Sequence, residues 1–358
     1  MKDRTLTGLK KDPLNLNRLL LVWIKSFFLG LFIKPKDFKL PKKIGEYRYV
    51  KDFTKIGTAK EFKLAIYKGP KGERVIAKVW SGSFKNFSYY TLQNEITMYR
   101  LLNLAYERAK NAKSVESRNM YIPELLQWKE KKGVLVLLIE YINGQIASEL
   151  PARDKVTLYL RSMKFINHLA HFLTKEEKDF ISTRSSLQYL FLYPLLLVKA
   201  IITNPRATGL LLKGSVVFAR SLPLLLKASN KELIHRDLHF RNIIFSKKRA
   251  VLIDLQYCIF TETMYEFVTT LRYRWKEDHF YELLLATLNK RYKTTRDFYS
   301  LFRGLVINSA THGLTAGHFS KRKIDNFIDF LRFAFSSNFP DLDILSDDRK
   351  TISIRSKK

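Results

Sequence analysis

The sequence predicts a two-lobed α+β fold, in which a small antiparallel sheet carrying one helix precedes a mainly helical second lobe. Three observations carry that expectation. Over residues 46–143, short runs rich in branched and aromatic residues alternate with turn residues, and one helical period interrupts them. Beyond Gly144 the apolar spacing is helical almost to the end, apart from a strand-like stretch near 233–253. The chain has 358 residues, 46% of them apolar, enough for one large bilobed unit or two domains.

The elements follow in order. YRYVKDFTKIG, KLAIYKG and RVIAKVW read as strands, the last two joined by a turn at Gly69-Pro70-Lys71-Gly72. Ile96, Met98, Leu101, Leu102 and Leu104 place a helix over Asn94 to Ala105. Two more strands, Leu125 to Lys129 and Val134 to Ile142, meet at Lys131-Lys132-Gly133. The expected boundaries are a basic amphipathic arm over 1–45, a first lobe over 46–143, a second lobe over 144–346 and a polar tail over 347–358. Within the second lobe, about 180–228 forms an apolar, basic insertion.

Composition limits the partners. Lys and Arg number 64 against 33 Asp and Glu, so the net charge is 64 − 33 = +31. Such a chain is drawn to nucleic acid or to an anionic lipid surface. No nucleic-acid reading motif accompanies the charge, and the apolar runs favour the membrane. Leu19 to Ile33 would make a helix of about 22 Å, short of a ~30 Å hydrocarbon core. Its two main readings are an interfacial anchor, suited by the basic KPKDFKLPKK that follows, and a helix packed on its own domain; a span or a signal peptide is a lesser alternative. A single cysteine, Cys258, excludes an internal disulfide and a multi-cysteine zinc site and suits a reducing, cytosolic-facing compartment. With 14 glycines and 10 prolines, the chain is neither collagen-like nor of low complexity.

The chemistry concentrates in LIHRDLHFRNIIF, from Leu233, and VLIDLQ, from Val251. His235, Asp237 and Asn242 fit H-x-D-x-x-x-x-N, and Asp254 follows an apolar strand twelve residues after the asparagine. Phosphoryl transfer needs a carboxylate to orient the attacking hydroxyl and accept its proton, with an amide and a second carboxylate to hold Mg²⁺ against the phosphates. Asp237, Asn242 and Asp254 take those roles in turn. Lys78, in Val75-Ile-Ala-Lys, is placed to neutralise the α- and β-phosphates of ATP, and Glu95, at the start of the expected helix, is spaced to pair with it. Taken singly, a strand lysine is solvated and a helix glutamate is surface; their order along the chain points to a nucleotide. Glu140 and Ile142 lie where backbone groups would meet adenine. Gly57 is the one glycine of the expected phosphate-covering loop, and alone it is no more than a hairpin turn.

These residues resemble the protein-kinase-like superfamily, in the branch that includes aminoglycoside, choline and lipopolysaccharide-core kinases. His239 in place of lysine, Asp254-Leu255-Gln256 in place of D-F-G, the lack of A-P-E and some ninety residues between hinge and catalytic loop set the chain apart from ordinary protein kinases. HRDLHFRN with IDLQ is most similar to the Kdo and heptose kinases of lipopolysaccharide core. That resemblance implies ATP- and Mg²⁺-dependent transfer to a sugar hydroxyl of a glycolipid, at the cytoplasmic face of the membrane. The alternatives are a soluble small-molecule kinase of the aminoglycoside or choline type and a pseudokinase that binds lipid or partners. Lys199, Arg206, Lys213, Arg220 and Lys227 recur every seven residues through the insertion, and Pro205 and Pro223 are expected to split that run into short helices. The stripe reads either as a lipid-facing surface or as a helical core with snorkelling lysines.

Overall fold

A computed structural model describes residues 6–15, 18, 21–22, 38–53, 62–82, 85–114, 116–184, 187–227, 231–246, 249–276, 278–292, 296–315 and 320–336. The chain divides into two compact units, one built from 1–184 with 231–261 and the other from 185–230 with 262–358. Most of the apolar 19–33 run and all of the 347–358 tail lie outside the described residues.

The first unit opens with β1 (Lys43–Ile44), β2 (Tyr47–Asp52), β3 (Phe62–Lys68) and β4 (Arg74–Ser81). Then come α1 (Phe87–Asn111), α2 (Glu116–Asn119), β5 (Met120–Tyr121), β6 (Leu125–Lys131) and β7 (Val134–Glu140). The antiparallel sheet runs β1-β2-β3-β4-β7-β6. Its hairpins follow the turn chemistry of the sequence. The β3–β4 register runs from Phe62↔Trp80 to Lys68↔Arg74 and closes at Gly72, whose φ is +86°. Lys132 and Gly133, both at positive φ, form the two-residue loop between β6 and β7 that matches strand twist. Ala65, Tyr67, Val75, Ala77, Val79, Val136 and Leu138 pack one face. Strand alternation therefore sends Lys78 to the other face, with Leu135 and Leu137 on the neighbouring strand both buried.

Helix α1 begins seven residues before the expected Asn94, so Glu95 sits two turns inside it rather than at its start. Asn86 caps it, its Oδ1 accepting from Tyr89 N–H at 3.1 Å and from the Trp80 indole at 2.9 Å. The early turns escape a leucine-based reading because their buried face carries Ser88, Tyr89, Thr91 and Gln93 beside the single Leu92. The unit continues through β8 (Gln145–Ile146), α3 (Ala152–His171), α4 (Lys175–Lys178), β9 (Lys231–Ile234), β10 (Ile243–Ser246), β11 (Arg249–Leu252) and β12 (Ile259–Glu262). A four-stranded sheet runs β5-β11-β10-β8, and β12 pairs with β9. Residues 6–15 lie against this unit, where Leu14 N–H donates to Ser182 Oγ at 2.8 Å and Asp12 N–H to the Phe180 carbonyl at 3.2 Å.

The second unit is helical, with α5 (Gln188–Thr203), α6 (Thr208–Lys227), α7 (Met264–Arg274), α8 (Asp278–Tyr292), α9 (Arg296–Leu314) and α10 (Lys321–Phe333). Close approach of α6 to α9 needs Gly304, where an added Cβ would lie 2.6 Å from that of Ser221. Ser221 Oγ donates to the Ser300 carbonyl at 2.9 Å. Of the two expected breaks, Pro205 does separate α5 from α6, but Pro223 lies inside an unbroken α6. The N–H that Pro223 lacks would have reached Ala219, and both residues are exposed, so water can serve the freed carbonyl.

Candidate active site

Three charged side chains converge on β4, α1 and the segment after β11. Lys78 Nζ donates to Glu95 Oε2 at 2.7 Å, Asp254 Oδ1 at 3.0 Å and Gln256 Oε1 at 3.0 Å. Burial alone would push this amine down, but Asp254 and Glu95 outweigh it and hold it charged. Burial pushes the Glu95 carboxyl up, and Lys78 opposes it. Burial also works against charge on Asp254, yet Lys78 more than offsets it and keeps that carboxyl below its usual range. Asp254 has φ +60° and ψ 58°, a left-handed conformation that aspartate tolerates better than most residues. Its N–H donates to the Tyr99 hydroxyl at 3.3 Å.

The second cluster lies on the loop between β9 and β10. Asp237 accepts at its carbonyl from His239 N–H at 2.9 Å and from Asn242 Nδ2 at 2.9 Å. That contact orients the Asn242 amide so that Oδ1 is the atom left for a cation. Asn242 in turn accepts at its carbonyl from Ile253 N–H at 3.0 Å, tying the loop to the residue before Asp254. The buried His235 braces the same strand end, its Nε2 lying 3.0 Å from the Ile253 carbonyl. His239 Nε2 is 3.7 Å from Asp237 Oδ2. Burial and the neighbouring His235 lower the His239 pKa to about 4, so the ring is neutral near pH 7. Its Nδ1 accepts from Arg241 N–H at 3.2 Å, which assigns the proton to Nε2, facing the carboxylate. The Asn242–Ile253 bond puts both clusters in one locality, and the half-buried Tyr257 phenol there is pushed up by desolvation and by the Asp254 and Asp237 carboxylates, with Lys78 and Arg236 opposing.

Two positioning residues escaped the sequence reading. Asn94 Nδ2 donates to the carbonyls of Gln256 and Cys258, both at 3.0 Å, and so clamps the segment after Asp254 onto α1. Gln256 is the third partner of Lys78. No spacing rule flags either amide; the one available pointer was the place of Gln256 two residues after Asp254. Among the other expected residues, Glu140 ends β7 with its N–H donated to the Glu124 carbonyl at 3.0 Å, and Ile142 follows in the irregular segment beyond. Gly57 lies outside the described residues.

The donor set suits Mg²⁺ carried by a nucleotide. Among the described residues no cluster of three His, Cys, Asp or Glu side chains forms a cage. An ionised carboxylate at Asp254 and an amide oxygen at Asn242 match an ion that keeps waters and phosphate oxygens as its remaining ligands. Residues 109–302 match the model of APH, the phosphotransferase enzyme family. The chain belongs to that family. The matched region includes Asp237, Asn242 and Asp254, while Lys78 and Glu95 lie before it and enter the site on geometry. On the family and this donor set together, the phosphotransferase is an ATP- and Mg²⁺-dependent kinase acting on a hydroxyl.

Its structure is similar to that of a thermostable mutant of aminoglycoside phosphotransferase APH(4)-Ia in its apo form, at 12% identity over 80% of this chain and 94% of that one, with a TM-score of 0.56. A further variant of that mutant, in ternary complex with AMP-PNP and hygromycin B, gives 11% identity, coverage of 87% and 97%, and a TM-score of 0.52. The amicoumacin kinase hAmiN, in complex with AMP-PNP, Ca²⁺ and Ami, gives 10%, 89% and 96%, and 0.51. At these identities the likeness establishes the kinase fold. No curated protein matches the chain.

Proposed function

We propose that this kinase transfers the γ-phosphoryl group of ATP to a sugar hydroxyl of a membrane-associated glycolipid, as the lipopolysaccharide-core kinases do. The observation that carries the transfer chemistry is the Lys78–Glu95–Asp254 network beside the Asp237–Asn242 loop. Lys78, held charged, neutralises phosphate oxygens of the donor. Asp237 accepts the proton of the attacking hydroxyl, and the neutral Nε2–H of His239 faces that carboxylate and helps orient it. Held by Asn242 and Asp254, Mg²⁺ supplies charge neutralisation on the phosphates. The acceptor class is supported by HRDLHFRN with IDLQ and by a net charge of +31, which suits work at an acidic surface.

The similarity to aminoglycoside and amicoumacin kinases supports a second reading, a small-molecule kinase whose acceptor is water-soluble. Incubating the enzyme with labelled Mg²⁺-ATP and a native membrane extract separates the two. Label in the glycolipid fraction supports the proposal. Label confined to water-soluble acceptors, with an equal rate after the lipid is removed, overturns it in favour of the second reading.

A further inference from the structure

The second unit carries a surface that phosphoryl transfer does not use. On α5 the outward residues are Leu190, Phe191, Pro194, Leu195, Val198 and Ile202, with Phe191 68% and Ile202 73% exposed. No charged side chain shares that outer strip. Helix α6 turns Leu211, Gly214, Phe218, Ser221 and Leu225 inward and leaves Leu212, Val216, Ala219, Pro223 and Leu226 outward. Beside this second apolar strip, Lys213, Arg220 and Lys227 recur every seven residues on one unbroken helix, drifting about 20° per step. All three are exposed, and Lys213 Nζ also lies 4.8 Å from the Phe335 ring centroid, which leaves Arg220 and Lys227 as the principal pair. Arg206 is paired with Asp325 at 2.5 Å and stands apart from the set.

The charge around these helices is one-sided. Between Asp179 and Glu232 the sequence has no acidic residue, while Arg184, Lys199, Arg206, Lys213, Arg220, Lys227 and Lys231 fall in the same stretch. Large apolar side chains thus stand exposed side by side on two neighbouring helices, the kind of contiguous patch that marks an interaction site. By length and composition Pro205–Lys227 could cross a membrane. Its inner face is nevertheless committed to α9 and α10, since Gly214 lies against Ile307 and Leu331. A helix packed along one face, apolar along part of the other and basic beside that strip has the layout of an element lying in the plane of a bilayer surface.

We propose that the outer faces of α5 and α6 dock the kinase on an anionic lipid bilayer. Phe191, Leu195, Val198, Ile202, Leu212 and Val216 enter the boundary between headgroups and acyl chains, and Lys213, Arg220 and Lys227 meet lipid phosphates. The charge complementarity selects lipid over a second copy of this chain, which would set cation against cation. The proposal does not depend on the acceptor's identity, because docking is read without transfer.

The test is co-sedimentation of the full-length protein with vesicles of phosphatidylcholine, with and without phosphatidylglycerol. Binding is expected to need phosphatidylglycerol. Arg220→Gln with Lys227→Gln should weaken it about 25-fold, roughly five-fold per cation removed. Phe191→Gln with Ile202→Gln should weaken it by a further order of magnitude, with the thermal midpoint unchanged because both residues are exposed. Wild-type protein that stays in the supernatant with both vesicle types overturns the proposal. So does undiminished vesicle binding by both double variants, or a variant that only converts a dimer to a monomer. Vesicle binding without glycolipid labelling would retain the docking face while removing the proposed acceptor.

Discussion

Replacing Glu95 by alanine probes the charge network most severely. Its Oε2 lies 2.7 Å from Lys78 Nζ, and both side chains are nearly enclosed, with 3% and 11% of their surfaces exposed. At an effective dielectric near 20, opposite charges at that distance attract by roughly 6 kcal/mol before desolvation is subtracted. Breaking a buried pair costs about 3–5 kcal/mol in practice. Asp254 remains 3.0 Å from the amine, so the lower end applies, about 3 kcal/mol. If that energy holds the lysine against the transferring phosphates, kcat/KM for ATP falls about 100-fold. Glu95→Gln, which can still accept the hydrogen bond, should lose about tenfold. Steady-state kinetics over a range of ATP concentrations, with a thermal melt of each variant, make the comparison. A Glu95→Ala enzyme that stays folded and turns over within about twofold of wild type would refute the positioning role.

Three further outcomes follow from the packing. Asn94→Ala strips the donor from the buried Cys258 carbonyl and the part-buried Gln256 carbonyl, so it should cost about 1–3 kcal/mol in urea unfolding and lower kcat; full activity in the destabilised protein would show that the clamp does not place Asp254. Gly144→Ala would set a Cβ 2.1 Å from the Phe245 carbonyl oxygen, forcing β8 from β10, and about 2 kcal/mol should be lost; an unchanged melting temperature would contradict that close approach. Burial opposes charge on Glu177, but the Arg108 fork at 2.6 and 2.8 Å and Thr174 N–H at 2.8 Å keep its carboxyl below the usual value. Its contribution is therefore present above the unfolded pKa near 4.5 and lost as pH falls through the folded value. Glu177→Gln should flatten the acid limb of stability against pH, and an identical limb would remove the group from that account.

The sheet was legible because β3, β4, β6 and β7 are short runs rich in branched and aromatic residues, and their turns carry Gly69, Gly72 and Gly133 where the chain must reverse. Lys78 and Glu95 were legible as a pair because their separation of seventeen residues joins a strand to the helix laid over it. The neighbourhood of Asp237, Asn242 and Asp254 was legible because phosphoryl transfer would constrain both residue type and spacing, and the hydrogen bonds from Asn242 Nδ2 to the Asp237 carbonyl and from Ile253 N–H to the Asn242 carbonyl do bring their segments together. Asn94 was not, since an amide that clamps backbone carbonyls carries no periodicity of its own. The true start of α1 was hidden because its first buried positions are mostly polar, with Ser88, Thr91 and Gln93 beside Tyr89 and Leu92. Pro223 misled for a physical reason as well: on an exposed helix face, the carbonyl that proline deprives can turn to water. The outward apolar strips of α5 and α6 could not be told from core by sequence, because the same leucines serve either purpose until one knows which side each helix packs.

On the proposed mechanism, Asp237 takes the proton of the attacking hydroxyl at a site that Lys78, Asn242 and Asp254 prepare for Mg²⁺-ATP. The most direct test compares wild-type and Asp237→Ala proteins for nucleotide binding by calorimetry and for transfer of labelled γ-phosphate into whichever fraction of a membrane extract the wild-type enzyme labels. ATP affinity should be closely similar in the two proteins, and transfer should fall about 10³-fold or more in the variant. Transfer at the wild-type rate by Asp237→Ala would contradict that mechanism.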